Sequence, residues 1–384
     1  MRKILAICAI FLALPAMAQE EKPGLFDRIF GGSEETEDQG SFLERLIEDN
    51  LSGEDRQVSI TGFQGALSGR ATIESLTISD PDGIWLTLTD AVLDWNRTAL
   101  LSGRLEVAEL SATSISLPRL PAAAETEEPT PEASGFSLPD LPVSVEIGRI
   151  ATERVEIGQP VIGTEILVSL DGALSLVDGE GIANLAIAKL DTAGGLTLEA
   201  SYSNASQQLA LALDVSEGPD GIIANLADIP GRPSVEFRVQ GDASLSDFIA
   251  NISLATDGQE RLAGTVATKQ AEDGTFRTLA DISGDLAPVF APDYQPFFGP
   301  NVALRTSIVS RPDGTTSLDD LTLSASALTL AGRAVLADGL PQLIEVTGRI
   351  ADASGGAVLL PLSGEETRVD AVDLNVKFDA AQSE

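Results

Sequence analysis

Leu209-Ala210-Leu211-Ala212-Leu213-Asp214-Val215-Ser216 decides the fold. A large aliphatic residue stands at every second position, with Ala, Asp or Ser between. Only an extended strand sends alternate side chains to opposite faces; a helix would scatter these residues around its circumference. The same period runs through Ile84/Leu86/Leu88, Val143/Val145/Ile147, Ile166/Val168/Leu170 and Leu196/Leu198/Ala200/Tyr202. It returns at Val235/Phe237/Val239, Val302/Leu304/Thr306/Ile308, Ile344/Val346/Gly348/Ile350 and Val372/Leu374/Val376/Phe378. Between runs stand Asp82-Gly83, Asp178-Gly179, Asp220-Gly221, Asp257-Gly258, Asp273-Gly274, Asp313-Gly314 and Asp338-Gly339. Asp-Gly between alternating segments signals a hairpin, because both central residues of a type I′ turn need positive φ. The pattern predicts a long antiparallel meander.

Each strand then has one aliphatic face, and burying it is worth about 25 cal/mol per Å². Helices to cover it are scarce. The short pieces expected at 222–230 and from Pro288 to Pro300 are too small for the task. Periodicity leaves open whether a second sheet covers the face or the sheet curls into a trough. The low aromatic content of 4% favours the trough, since few rings are available to fill a thick centre. The fold expected is mostly β, a meander curled into an open groove. Glycines in Leu67-Ser68-Gly69, Leu101-Ser102-Gly103, Leu262-Ala263-Gly264 and Leu330-Ala331-Gly332 are expected to mark bends or bulges.

Composition removes several functions. The chain has 384 residues, 59 acidic and 24 basic side chains, and no His. A net charge of −35 repels phosphate backbones, so nucleic acid is not an expected partner. Without imidazole there is no His-based triad and no His-ligated zinc. The single cysteine, Cys8, excludes a disulfide framework. Walker loops and nucleophile elbows are absent from the sequence. Carboxylates beside glycine, as in Asp80-Pro81-Asp82-Gly83 and Asp178-Gly179-Glu180-Gly181, allow a calcium reading, but EF-hand and β-roll spacings are missing. Trp85 and Trp95 read as packing or rim residues. No enzymatic activity, cofactor or metal is expected.

Residues 1–18 read as an export signal. Arg2 and Lys3 precede eleven nearly apolar residues, Ile4 to Leu14, and Ala16-Met17-Ala18 fits the small-x-small cleavage rule with Ala16 and Ala18 at the small positions. Eleven helical residues rise about 16 Å, half a hydrocarbon core. An exported, periplasmic chain is expected, with an uncleaved anchor as the alternative. Residues 19–40 form an acidic linker. Residues 41–53 read as a capping helix: Ser41 and Glu44 make a capping box, Phe42, Leu43, Leu46, Ile47 and Leu51 line one side, and Gly53 stops it. A first β block spans 57–120, a Pro/Ala/Glu-rich linker 121–138, and a second β block 139–384.

Several segments resemble the N-terminal region of the TamB family, part of the AsmA-like group. They are Gly62-Phe63-Gln64-Gly65-Ala66-Leu67-Ser68-Gly69, Ile73 to Asp80, Gly83 to Leu88, Leu93 to Leu105 and Leu117-Pro118-Arg119-Leu120. Asp285 to Pro292 and Tyr294 to Gly299 are similar as well. The resemblance implies an envelope protein of Gram-negative bacteria, associated with the inner membrane and acting in the translocation and assembly module. Its implied partners are a TamA-type Omp85 outer-membrane barrel and phospholipid, carried between the inner and outer membranes. Family members are much longer and end in a C-terminal domain with no counterpart here, so a fragment or truncated product is expected. The groove lining expected on this reading is Ile84, Leu86, Leu88, Ile166, Val168, Leu170, Leu209, Leu211, Leu213, Val302 and Leu304. A structural or adhesive exoprotein with a dry core is the rival, and a calcium-binding β module the third reading.

Overall fold

A computed structural model describes residues 56–65, 68–121, 138–139, 141, 143–271, 273–337, 339–362 and 366–382. The export signal with Ala16 and Ala18, the acidic linker, the helix expected at 41–53 and nearly all of the 121–138 linker lie outside the described residues. The chain divides into two compact units: Met1–Asn96, Ala108–Thr126 and Ala151–Val168 in the first, and Arg97–Val107, Glu127–Ile150 and Ser169–Glu384 in the second.

The expected meander is present. Eighteen strands belong to one open sheet that is not closed into a barrel. The first unit holds β1 (Gln57–Thr61), β2 (Arg70–Asp80) and β3 (Gly83–Asn96). Then follow β4 (Arg104–Leu117), β5 (Ser144–Ile157), a one-turn helix α1 (Gln159–Ile162) and β6 (Ile166–Val177). The second unit continues with β7 (Glu180–Lys189), β8 (Gly194–Ser203), β9 (Gln208–Glu217), helix α2 (Ile222–Leu226), β10 (Val235–Ser244) and β11 (Asp247–Thr256). After β12 (Gln259–Gln270) and β13 (Phe276–Gly284) comes helix α3 (Gln295–Phe298). It leads into β14 (Val302–Ser310), β15 (Thr315–Ser324), β16 (Leu328–Ala337) and β17 (Leu340–Ala351). A two-stranded sheet of β18 (Val358–Leu359) and β19 (Arg368–Val369) precedes the last strand, β20 (Ala371–Asp379), which pairs with β17.

Turn chemistry explains the sequential order. Asp178 and Gly179 both have positive φ, 50° and 75°, as do Asp257 and Gly258, at 49° and 70°. These are the two-residue turns whose twist matches that of the flanking strands. Asp220-Gly221 departs from the expectation. Asp220 has positive φ, but Gly221 at φ −68° is the N-cap of α2, so this pair opens a helix instead of a hairpin. The glycine phrase separates likewise. Gly332 faces Leu321 at a β15–β16 register shift, and Gly103 (φ 72°) ends a 3-10 turn. Gly264 lies inside β12, where an added Cβ would run into the Asp281 carbonyl oxygen of β13. There glycine permits close approach of backbones.

In the second unit the three long connections, β9 to β10, β13 to β14 and β17 to β20, lie at one end of the strands, where the two-residue Asp257-Gly258 hairpin lies too. At the long-loop end α2 packs Ala224 and Ile229 on Val235, with Ile223, Leu254 and Val289 around them. Nearby in sequence to α3, Phe297, Ala327 and Val358 form a second plug with Phe298, Leu328, Ile350, Leu360 and Val369. Phe290 stacks on Phe298 with centroids 3.6 Å apart. The Glu217 carboxylate accepts the Ile223 N–H at 2.8 Å and so supplies the helix cap that Gly221 lacks. Of the larger side chains described, Val235 and Val309 alone are fully buried.

Candidate functional site: an aliphatic strip across the sheet

Residues directly opposite in an antiparallel pair share a face, so the register tells which side chains form rows across the sheet. In the second unit one row runs Leu185, Leu198, Leu213, Val239, Ile252, Gly264, Ile282, Leu304, Leu323, Leu330, Gly348, Leu374. It crosses every strand from β7 to β17 and ends on β20. Glycine is its sole non-aliphatic member. A neighbouring row holds Ala183, Ala200, Leu211, Gly241, Ala250, Val266 and Ala280; the one on the other side holds Ile187, Leu196, Val215, Phe237, Leu254 and Leu262. None of these positions carries an ionisable group. The row's aliphatic side chains are half-buried along its length. Register shifts between Leu254 and Ala255, Arg305 and Ser307, Leu318 and Leu321, and Val335 and Leu336 interrupt the ladders, and such bulges bend a strand and increase its twist.

The opposite face is built differently. Its parallel row reads Asn184, Glu199, Ala212, Gln240, Asn251, Thr265, Asp281, Arg305, Thr322, Ala331, Thr347, Asn375. Opposite charges meet across neighbouring strands: Arg238 and Asp214 at 2.6 Å, Arg333 and Glu345 at 2.7 Å, Arg349 and Asp373 at 2.7 Å. The Arg333 guanidinium holds the Glu345 carboxyl below its ordinary range, and Asp214 and Glu236 hold Arg238 more firmly protonated. These pairs are exposed and screened, so each adds little stability. Their effect is on register: a one-residue slip would send the charges to the aliphatic face.

Five of the expected lining residues therefore share one face of the second unit. Leu213 and Leu304 stand in the same row, five strands apart; Leu211 and Val302 lie on adjacent rows, and Leu209 one row beyond Leu211. Leu170, in the second unit, is half-buried. In the first unit Leu86 faces Ile78, which faces Val58, and Leu88 faces Leu76, which faces Ile60. Val58 and Ile60 are buried. Ile84 lies beyond a register shift, opposite Ser79, and is 50% exposed. Ile166 is half-buried and Val168 buried, both in the first unit.

Two features escaped sequence reasoning. The first is a hollow of about 780 Å³ on the polar face of β7–β11, bordered by Ile182, Asn184, Glu199, Gln240, Asp242 and Ile249. Ile182 and Ile249 are half exposed there. Ile182 stands between Gly181 and Ala183, and these two small residues blur the alternation that would have shown an isoleucine out of place. Leu211 is the single expected lining residue that borders this hollow. The second is in the first unit, where Arg119 clamps the β2–β3 hairpin. One guanidinium nitrogen donates to Asp80 Oδ2 at 2.8 Å and to the Leu120 carbonyl at 3.1 Å; the other bonds Asp80 Oδ1 and the Gly83 carbonyl. The Asp80 side chain is 4% exposed and engaged by this cation. No cluster of three or more potential metal-binding side chains occurs among the described residues. The Trp95 indole N–H and Thr306 hydroxyl are buried without a hydrogen-bond partner.

Three turn carboxylates give the sheet an acid limit. Asp273 accepts the Thr275 N–H and Asp313 the Thr315 N–H, both at 2.9 Å, and both carboxyls are held below their ordinary range chiefly by that bond. Asp352 is lowered by the Ser354 hydroxyl and then by its N–H, each at 2.6 Å. A carboxyl with a depressed folded pKa stabilises fully above its unfolded value of about 3.9, and that contribution disappears as pH falls through the folded value. Amide exchange at Thr275, Thr315 and Ser354 should therefore be unchanged from pH 7 to 5 after correction for intrinsic rates, then lose protection below about pH 4. Equal protection at pH 2 would show that these bonds do not hold the turns.

No family model matches the chain, and no curated protein or solved structure matches it.

Proposed function

We propose that the protein is a non-enzymatic, exported component of outer-membrane biogenesis whose aliphatic sheet face receives phospholipid acyl chains between the inner and outer membranes. One observation carries the reading: the charge-free row from Leu185 to Leu374 crosses twelve strands. An acyl chain has no hydrogen-bonding group along its methylenes and needs such a strip, since each buried CH₂ is worth about 0.8 kcal/mol and a single charge in its path is costly. A dry structural protein would instead fill that face with its own side chains; here the plugs at Ala224 and Phe297 cover strand ends. The resemblance of Gly62 to Leu120 to the TamB family supports the same reading and supplies the proposed setting: a periplasmic location and a TamA-type barrel as partner.

The test is photo-crosslinking in cells at Leu209, Leu213, Val302 and Leu304, with Asn251 and Ala331 on the other face as controls. Lipid adducts should form at the first set and be at least about tenfold rarer at the second. Adducts at neither set would end the conduit reading and leave the dry structural alternative.

A further inference from the structure

The turn between β3 and β4 presents the most exposed large hydrophobic side chain among the described residues. Leu101 is 91% exposed, against 66% for Leu340, the next highest. A single exposed leucine is ordinary, but this one is held out by a built turn. Arg97–Ser102 is a 3-10 helix, in which residues three apart stand one above the other. Ala99 is buried, and the Ser102 hydroxyl donates to its carbonyl at 2.8 Å. Gly103, at φ 72°, ends the turn with its N–H on the Leu100 carbonyl at 3.0 Å. With Ala99 anchored inward, Thr98 and Leu101 share an outward side, and both are exposed. A second leucine stands close by. The Ser144 N–H bonds the Gly103 carbonyl at 3.0 Å, and Leu141, just before it in the chain, is 45% exposed.

The charge of this turn runs against that of the chain. From Trp95 to Leu105 the sequence holds Arg97 and Arg104 and no carboxylate, in a protein with 59 acidic and 24 basic side chains. Arg104 shares Glu106 at 2.6 Å. Arg97 has no carboxylate partner among the described residues. We propose that the turn is a membrane-docking tip: Leu101 and Leu141 enter the interface of an anionic bilayer, and Arg97 meets lipid phosphates there. Size and charge select this occupant. A turn of 6 residues falls far short of the about 800 Å² that each partner buries in a stable protein complex. A bilayer accepts a leucine without a complementary pocket, and anionic headgroups attract arginine at the surface. The remainder of the chain, at −35 overall, is repelled by the same headgroups, which confines the contact to this tip.

The inference does not depend on lipid in the aliphatic strip, and its test reads the turn alone. In the full chain with Cys8→Ser, Leu101→Cys carries an environment-sensitive fluorophore. Leu190→Cys, at a site 49% exposed and beside Asp191, carries the same label as control. Both labels should emit as in water before vesicles are added. Vesicles of phosphatidylcholine with about 30% phosphatidylglycerol should shift the label at position 101 to the blue and leave the one at position 190 unchanged. The lipid concentration for half the shift should rise at least about fivefold on phosphatidylcholine alone, and again when Arg97→Glu is introduced. Blue emission from position 101 without vesicles would show that the protein covers this turn itself, and would overturn the proposal. So would the lack of any shift with vesicles, an equal shift at position 190, or indifference to phosphatidylglycerol or to Arg97→Glu.

Discussion

Leu213→Asp and Leu304→Asp, purified without detergent, should retain about a tenth or less of the lipid bound by the parent chain. Both side chains stand in the row that crosses the second unit, with Leu198 and Val239 beside the first and Ile282 and Leu323 beside the second. A carboxylate there has no basic partner on the neighbouring rows, so an acyl chain laid over it would strip water from an unpaired charge. The loss of lipid must be separated from loss of fold. Leu213 and Leu304 are half-buried, so replacement removes only part of the packing expected for a core leucine, and the strands should survive. Far-UV circular dichroism checks this. Asn251→Asp on the opposite face introduces the same charge within the same ladder and should leave the lipid untouched. Equal lipid content in all three variants would detach lipid binding from the aliphatic face.

Arg119→Ala should produce the largest stability loss among surface-accessible positions in the first unit. The guanidinium holds both Asp80 oxygens and the carbonyls of Gly83 and Leu120, so one side chain ties the end of β4 to the hairpin between β2 and β3. The Asp80 carboxylate keeps a bond from the Asp82 N–H at 2.9 Å but would lose its cation where water reaches it poorly. Breaking one partner of such a pair is more harmful than never having built it. A melting temperature lower by about 5 °C or more is expected, with early proteolysis in the β2–β3 turn. Arg119→Lys should recover only part, because an ammonium cannot span two carboxylate oxygens and two carbonyls in one plane. A melting curve identical to the parent's would show that the clamp is incidental.

Strands were legible in the sequence because a two-residue period is a direct consequence of backbone pleating. Val302, Leu304 and Ile308 declare their face without any knowledge of the partners. Short helices near 222–230 and 288–300 were also legible, from proline, glycine and clustered rings. The rows were not. That Leu213 and Leu304 share one line depends on each intervening hairpin keeping its register, and a single shift moved Ile84 off the row it nominally belongs to. Long-range polar contacts were equally hidden: Asp80 and Arg119 are 39 residues apart, and neither stands out among its many charged neighbours. The hollow beside Ile182 was obscured by alanine, which suits either face and so carries no directional information.

Because the aliphatic row runs straight across the strands without net stagger, distance along it is counted in hairpins. Adjacent strands lie about 4.8 Å apart, so each hairpin contributes nearly 10 Å of greasy path and asks nothing of the others beyond a matching edge. Duplicating or excising one pair of strands would lengthen or shorten the span by a fixed step while the remaining ladders stayed in place. Along the row the architecture is thus additive, one fixed step per pair of strands.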